Sequence, residues 1–219
     1  MATQTRSGKR KRPTFIEEAR REQIIEATID TVAEIGLARA SLAEIAKEAD
    51  ISKAVIPYYF GSKDELIEQT LRAVYERSDT YIANRVDDQE TALDKLRAHV
   101  SAQLGFARDH RREAVADWEL ISSFDSPEAK RRFNSTTYDP IRRRMGRILS
   151  QGQESGEFRD FPVNAVAATI VGVLDGIILQ WTWAEDAVDL DACCQEVLGM
   201  VEPYVRNPSD SAPDSQVGR

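Results

Sequence analysis

Apolar residues along this chain recur three and four positions apart, and no stretch alternates apolar and polar as a half-buried strand does. Ile24, Ala27, Thr28, Val32 and Ile35 fall on one face of a helix over about 14–35. Thr14 and Glu17 make a capping box at its start, and Gly36 stands at the C′ position. Leu42, Ile45, Ala46 and Ala49 give a second, short helix, opened by Ser41 with Glu44 three residues on. Asp50, which tolerates a left-handed backbone, breaks it, and Ile51 is expected to pack beneath the turn. Ser52 is placed to cap a third helix to about Tyr59, which Gly61 stops. Ser62 and Glu65 open a fourth, to about Arg85, with Leu66, Ile67, Leu71, Val74 and Tyr75 apolar. Helical spacing continues over about 90–109, with Leu93, Leu96, Val100, Leu104 and Ala107, and over 111–124, with Val115, Trp118 and Ile121. Ser126-Pro127 pairs an N-cap with Pro at N1. Asp139-Pro140 repeats the pairing and starts or kinks a helix to about Ser155. A turn over 152–162 leads to the most apolar stretch, 163–183, and a last helix covers about 189–205. The pattern predicts an all-α fold of about nine helices.

Residues 41–66 carry a more specific signal. Two short helices joined by a tight turn, with small residues Ala46 and Ala54 where they approach, form a helix-turn-helix. Ile45-Ala46, Ala49, Ile51, Ser52, Tyr59-Phe60, Lys63 and Leu66 stand at the spacings of the DNA-binding motif of the tetracycline-repressor (TetR) family, which this segment resembles. Three positions depart from that pattern. Asp50 replaces the usual turn glycine, Ala54 replaces a common glycine, and Pro57 stands where a phosphate-contacting Tyr is most frequent. The resemblance implies a homodimeric, ligand-released repressor on a near-palindromic double-stranded DNA operator. Its domains would be a three-helix DNA-binding domain at 14–62 and a helical ligand-binding and dimerisation domain at 63–206, joined by the helix 63–85. Residues 1–13 would form a disordered basic arm and 207–219 a disordered tail. The DNA-facing candidates are Arg10, Arg12, Ser41, Ser52, Lys53, Ala54, Val55, Tyr58, Tyr59 and Lys63. Lys53 is the expected polar base reader, and Lys63 at the start of the fourth helix an expected phosphate contact.

Charge fits this polarity. The chain is acidic, at −8 over 219 residues, yet residues 1–63 carry 11 Lys and Arg against 9 Asp and Glu, while 64–219 carry 18 against 28. A relatively basic end on an acidic body presents one face to phosphate and repels DNA elsewhere. Apolar content of 42% and charged content of 30% suit a soluble globular chain. No secretory signal opens it, and a cytoplasmic location is expected. Adjacent Cys193-Cys194 read as helix residues rather than a disulfide framework, and no spacing suggests zinc or another metal.

The helix over 163–183 approaches membrane-spanning length, but Asn164, Asp175 and Gln180 are costly in lipid. It reads as a buried helix, with Ala168, Gly172 and Gly176 four apart to admit a close neighbour. The resemblance assigns 163–183 and 189–205 to a four-helix dimer interface. Similarity of DPIRRRMGRILSQGQESGEF and VLDGIILQW to the choline-responsive branch implies a cationic or amphipathic effector. Its candidate contacts are Phe106, Trp118, Phe133, Tyr138, Asp175 and Trp181, aromatic faces plus a carboxylate. Against an enzyme, there is no nucleophile elbow, P-loop or dinucleotide fingerprint. Asp117, Glu119, Asp139 and Asp175 have no nucleophile or metal cluster beside them, and His99 and His110 read as exposed helix residues. No catalytic residue and no cofactor is expected. The alternatives are a helical adaptor, or an enzyme, without DNA binding.

Overall fold

A computed structural model describes residues 14–207 as ten α-helices, two of them fused through a π-helical turn. The helices are α1 (Phe15–Ile35), α2 (Leu42–Glu48), α3 (Val55–Phe60), α4 (Lys63–Asp87), α5 (Ala92–Asp109), α6 (Arg111–Ile121), α7 (Pro127–Phe133), α8 (Asp139–Glu154), α9 (Val163–Trp183) and α10 (Leu190–Val205). No strand is formed among the described residues, and the one isolated bridge joins Phe158 to Arg206. The expected basic arm and most of the expected tail, with Arg10 and Arg12, lie outside the described residues.

The caps explain most boundaries. Thr14 accepts from Glu17 N and Glu17 returns to Thr14 N, the full capping box. Ser41, Ser62, Thr91 and Ser126 each accept from the N3 backbone N–H. Asp189 caps α10 through the N–H groups of Asp191 and Ala192. Asp50 adopts φ 49°, which frees Ile51 N–H to reach Ala46 O at 2.9 Å and turns the chain sharply. Gly61, at φ 70°, ends α3.

Two expectations fail here. Ser52 is not the cap of α3: its carbonyl accepts from Val55 N at 2.9 Å, Ala54 occupies the cap position, and α3 begins at Val55. A backbone turn satisfies that donor, so the hydroxyl is not needed. Nor is Asp139 an N-cap. The chain runs helically from α7 through the π turn Asn134–Tyr138 into α8, with Asp139 N–H bonded to Asn134 O. The wider turn absorbs the missing N–H and the ring of Pro140 without a break. Asp139 instead pairs with Arg142.

Two cores result. Ile24, Ile29, Val32, Ile45, Ile56, Phe60, Leu66 and Leu71 make the N-terminal one, and Ala116 and Leu120 of α6 enter it, both fully buried. Leu96, Val100, Met145, Leu149, Phe158 and Leu174 centre the other. Burial of each such aliphatic or aromatic side chain contributes about 1.5–3 kcal/mol. Glu157, in the turn after α8, accepts from Ala92 N and Leu93 N at 2.8 and 2.9 Å, tying that turn to the start of α5.

The α9 helix is long and apolar enough to cross a membrane by length and composition. It buries Ala167, Ile170, Val171 and Leu174, but Ala168, Gly172 and Val173 face outward, so it is not enclosed all round within one chain. Met200 and Tyr204 of α10 are exposed as well.

Candidate DNA-binding and effector sites

The α3 helix buries Ile56 and Phe60 and turns Pro57 and Tyr58 outward, Tyr58 being 77% exposed, and Lys53 and Ala54 in the turn just before it are exposed as well. Val55 and Tyr59 are half-buried, and Ser41 and Ser52 are exposed on the same motif. The Tyr58 and Tyr59 rings meet edge to face at 5.0 Å. Arg21 of α1 was not legible as part of this unit. Its guanidinium donates to Tyr59 O and to Gln69 of α4, and lies 4.6 Å from the Phe60 ring centroid. It therefore fixes the end of α3 against its two neighbours. Lys63, half-buried, is the first residue of α4.

Behind this unit, α4, α5, α6, α8 and α9 enclose a cavity of about 80 Å³. Four of the six aromatic and acidic candidates line it: Phe106, Trp118, Tyr138 and Asp175. Phe133 lies instead on a larger open cleft of about 790 Å³ between α4 and α7–α8, with its ring 5.5 Å from that of Tyr138. Trp181 is the correction. It is 4% exposed, packed in the C-terminal core with Arg111 5.6 Å above its ring, and lines neither space.

The cavity also gathers polar groups that sequence reading placed elsewhere. His99 is buried, not exposed, and neither ring nitrogen has a hydrogen-bond partner. Tyr75, expected only as an apolar linker residue, donates to Asp117 Oδ2 at 3.1 Å. The other Asp117 oxygen is buried without a partner. Gln103 Nε2 donates to Asp175 Oδ1 at 3.3 Å. Of the four carboxylates weighed as a catalytic pair, Asp117 and Asp175 do come together here. Asp139 is engaged by Arg142, and Glu119 accepts from Leu37 N at 3.1 Å. The spacing of His99, Gln103 and Phe106, four and three apart on α5, was the available signal for a polar face.

Electrostatics set the character of the space. Burial pushes the Asp117 carboxyl up to about 7, against the Tyr75 hydrogen bond that lowers it, and the Asp175 charge raises it further. Burial pushes Asp175 up to about 6, offset by the neighbouring Tyr138 hydroxyl. Burial, then the Arg144 charge, drives His99 down to about 4, so its ring is neutral at physiological pH. Arg144, at the rim, is engaged by Asp79 at 2.5 Å. The cavity thus holds two carboxyls and aromatic walls, and the one arginine in its lining, Arg144, is already paired with Asp79 rather than with Asp117 or Asp175. Among the described residues, no group of three or more His, Cys, Asp or Glu suits a metal ion. Cys193 and Cys194 are free, the second buried with Sγ 3.4 Å from Ser101 Oγ.

Comparison with known proteins places this architecture. Residues 24–70 match the profile of bacterial regulatory proteins of the tetR family, and residues 92–202 match that of the BetI-type transcriptional repressor C-terminal region. The chain is 26% identical over 201 residues to the HTH-type transcriptional regulator BetI 1 of Chromohalobacter salexigens, covering 89% of this chain and 94% of that one. It is 25% identical over 201 residues to the fatty acid metabolism regulator protein of Bacillus subtilis, covering 91% and 99%. Among solved structures, a putative regulator from Saccharomonospora viridis in complex with choline superposes with a TM-score of 0.74 at 22% identity, covering 87% and 99%. FadR from Bacillus subtilis in complex with stearoyl-CoA superposes with a TM-score of 0.73 at 22% identity, covering 84% and 99%. With both halves of the chain matched, it belongs to the TetR family of ligand-responsive, DNA-binding transcriptional regulators, and its C-terminal region is of the BetI repressor type.

Proposed function

We propose that this regulator is a cytoplasmic, non-catalytic repressor released from its operator by a small organic molecule whose cationic group is held between Asp117 and Asp175. The observation that carries this is the unpartnered buried oxygen of Asp117 in a cavity with a second carboxylate and aromatic walls. A buried carboxylate without a compensating charge is costly, and a bound cation removes that cost. The faces of Trp118, Phe106 and Tyr138 suit a quaternary ammonium through the ring quadrupole. Size favours the same class. The inner cavity, at about 80 Å³, is of the scale of a compact headgroup. The BetI-type match of the C-terminal region and the choline complex of the Saccharomonospora viridis regulator are in keeping with this reading.

At the other end, residues 14–62 form the reading head and 63–206 the effector and dimer body. Lys53, Ala54, Val55 and Tyr58 face the bases, Lys53 as the polar reader. Ser41, Ser52, Tyr59 and Lys63 hold the backbone. The open faces of α9 and α10, with Ala168, Gly172, Met200 and Tyr204, pair with a second copy. Two heads then enter successive major grooves about 34–36 Å apart. Effector binding draws on α4 through Tyr75 and on α6 through Asp117, and changes the separation of the heads. Release extends only as far as the cation prefers the non-binding state.

The test is to recover DNA fragments retained by the purified protein and titrate the complex with choline in a gel shift. Choline should release the DNA from the wild type and fail with Asp175→Asn, which keeps the shape and removes the charge. A variant that still releases DNA at the same choline concentration would refute the role of Asp175. Linkage adds a check: operator must weaken choline binding by the same factor.

A further inference from the structure

The cavity does not stand alone. Tyr75, Asp79, Ile141 and Arg144 line both it and the open cleft of about 790 Å³, so the two spaces share a wall. Their charges are opposite in kind. The cleft carries five arginines, Arg72, Arg132, Arg143, Arg144 and Arg147, against Glu68, Glu76 and Asp79. Arg132 is engaged by Glu68, and Arg144 by Asp79. Among the described residues, Arg72 of α4 and Arg143 and Arg147 of α8 make no hydrogen bond, ion pair or ring contact. Arg143 and Arg147 stand four apart, on one face of α8, where like charges repel. An anion between them would turn that repulsion into attraction.

These charges constrain any molecule larger than the cavity. With its cation between Asp117 and Asp175, the rest of it must leave past Tyr75 and Ile141 into a space that repels further positive charge and attracts negative charge. We infer that the effector is a zwitterion, a phosphate monoester joined by a short linker to the cationic group, with its phosphate held by Arg143 and Arg147 and faced by Arg72 across the cleft. Guanidinium groups suit phosphate oxygens, which they can meet with two parallel N–H donors each. This inference rests on the cation reading of the cavity and adds the second charge and its site.

The experiment is calorimetric titration of the full chain at about pH 8, where a phosphate monoester is largely dianionic. The probes are choline and choline phosphate. Choline phosphate should bind the wild type about tenfold or more tightly than choline, tenfold being about 1.4 kcal/mol. R143Q/R147Q should bring the two probes to the same affinity without weakening choline, because both side chains are exposed and unpaired and neither lines the inner cavity. Arg131→Gln, which removes a positive charge outside the cleft, should leave the difference intact. Equal affinities in the wild type would overturn the inference. So would a difference that survives R143Q/R147Q, or one that Arg131→Gln removes as fully. Failure of choline to bind at all would instead defeat the cation reading of the cavity, so the two failures are distinguishable.

Discussion

The affinity for a permanent cation should fall steeply with acidity, by an amount set by the two cavity carboxylates. Choline itself does not titrate between pH 5 and 8, so the dependence reports the protein. Asp175, pushed up to about 6, is about one part in eleven ionised at pH 5, and Asp117, at about 7, is about one part in a hundred. At pH 8 both are almost fully ionised. If Asp175 alone must be charged, affinity falls about tenfold from pH 8 to pH 5. If both must be, it falls about a thousandfold, or about 4.1 kcal/mol. The unpartnered Asp117 oxygen places this protein at the larger figure. His99 adds no opposing step, because at about 4 it stays neutral through the range. Asp79 and Arg144 at the rim are paired to each other. The assay is choline titration followed by Trp118 fluorescence at constant ionic strength, repeated with Asp117→Asn, which should reduce the fall to the tenfold case. Affinity that is flat, or rises as pH drops, would refute the assignment of both carboxylates to the cation.

Other expectations are open to direct measurement. Without effector, the protein should lose stability as pH rises through about 6 and 7. The two carboxyls hold their protons more tightly folded than unfolded, so stability gained below those values is lost above them. The opposite loss, from His99 as pH falls from 6.5 towards 4, is one proton against two, so thermal melts between pH 5.5 and 7.5 should still decline, and choline should flatten the decline. Tyr75→Phe removes the hydrogen bond that favours ionised Asp117 and should move the upper step of choline binding to higher pH; an unmoved step would contradict that contact. Gly152→Ala would place a Cβ 2.0 Å from Phe158 Cδ2, inside a buried ring, and should cost about 1–3 kcal/mol in denaturant unfolding. Lys63→Ala should weaken all operator sequences about equally and lower the salt slope by roughly 1; a loss confined to one base position would contradict a phosphate role.

Local chemistry was legible and long-range juxtaposition was not. Caps at Thr14, Ser41, Ser62 and Ser126, the left-handed Asp50 and the stop at Gly61 follow from neighbours a few residues away, and the α9 bounds follow from apolar content alone. Ser52 and Asp139 misled because a capping residue type does not reveal whether the backbone has already satisfied the donor. His99 looked exposed because its ring is polar. Only the packing of α4, α8 and α9 around α5 shows that its face closes on a cavity. Asp117 and Asp175 lie 58 positions apart on α6 and α9, and no local period connects them. Trp181 and Trp118 are the same residue type on amphipathic surroundings, and tertiary packing alone sends one into the core and the other to the cavity.

The α6 helix has a consequence for how such a regulator can be rebuilt. Within a few residues it sends Ala116 and Leu120 into the N-terminal core and turns Asp117 and Trp118 to the cavity. It also hangs Glu119 on Leu37 N in the loop after α1. Arg112 adds a bond to Asp30 of α1 at 2.6 Å. A chimera cut at the start of α4 would therefore strip Ala116 and Leu120 from the transplanted reading head, in addition to Leu66, Ile67, Leu71 and Val74 of α4 itself, and leave their partners facing water. A working exchange of heads between relatives must carry the matching surface of α1 and its following loop, fitted to the recipient's own α6. Retargeting by a few substitutions between Lys53 and Tyr58 leaves that seam untouched. On the proposed assignment of Lys53, Ala54, Val55 and Tyr58 to the bases, new DNA specificity is more accessible through point changes at those positions than through recombination of whole modules.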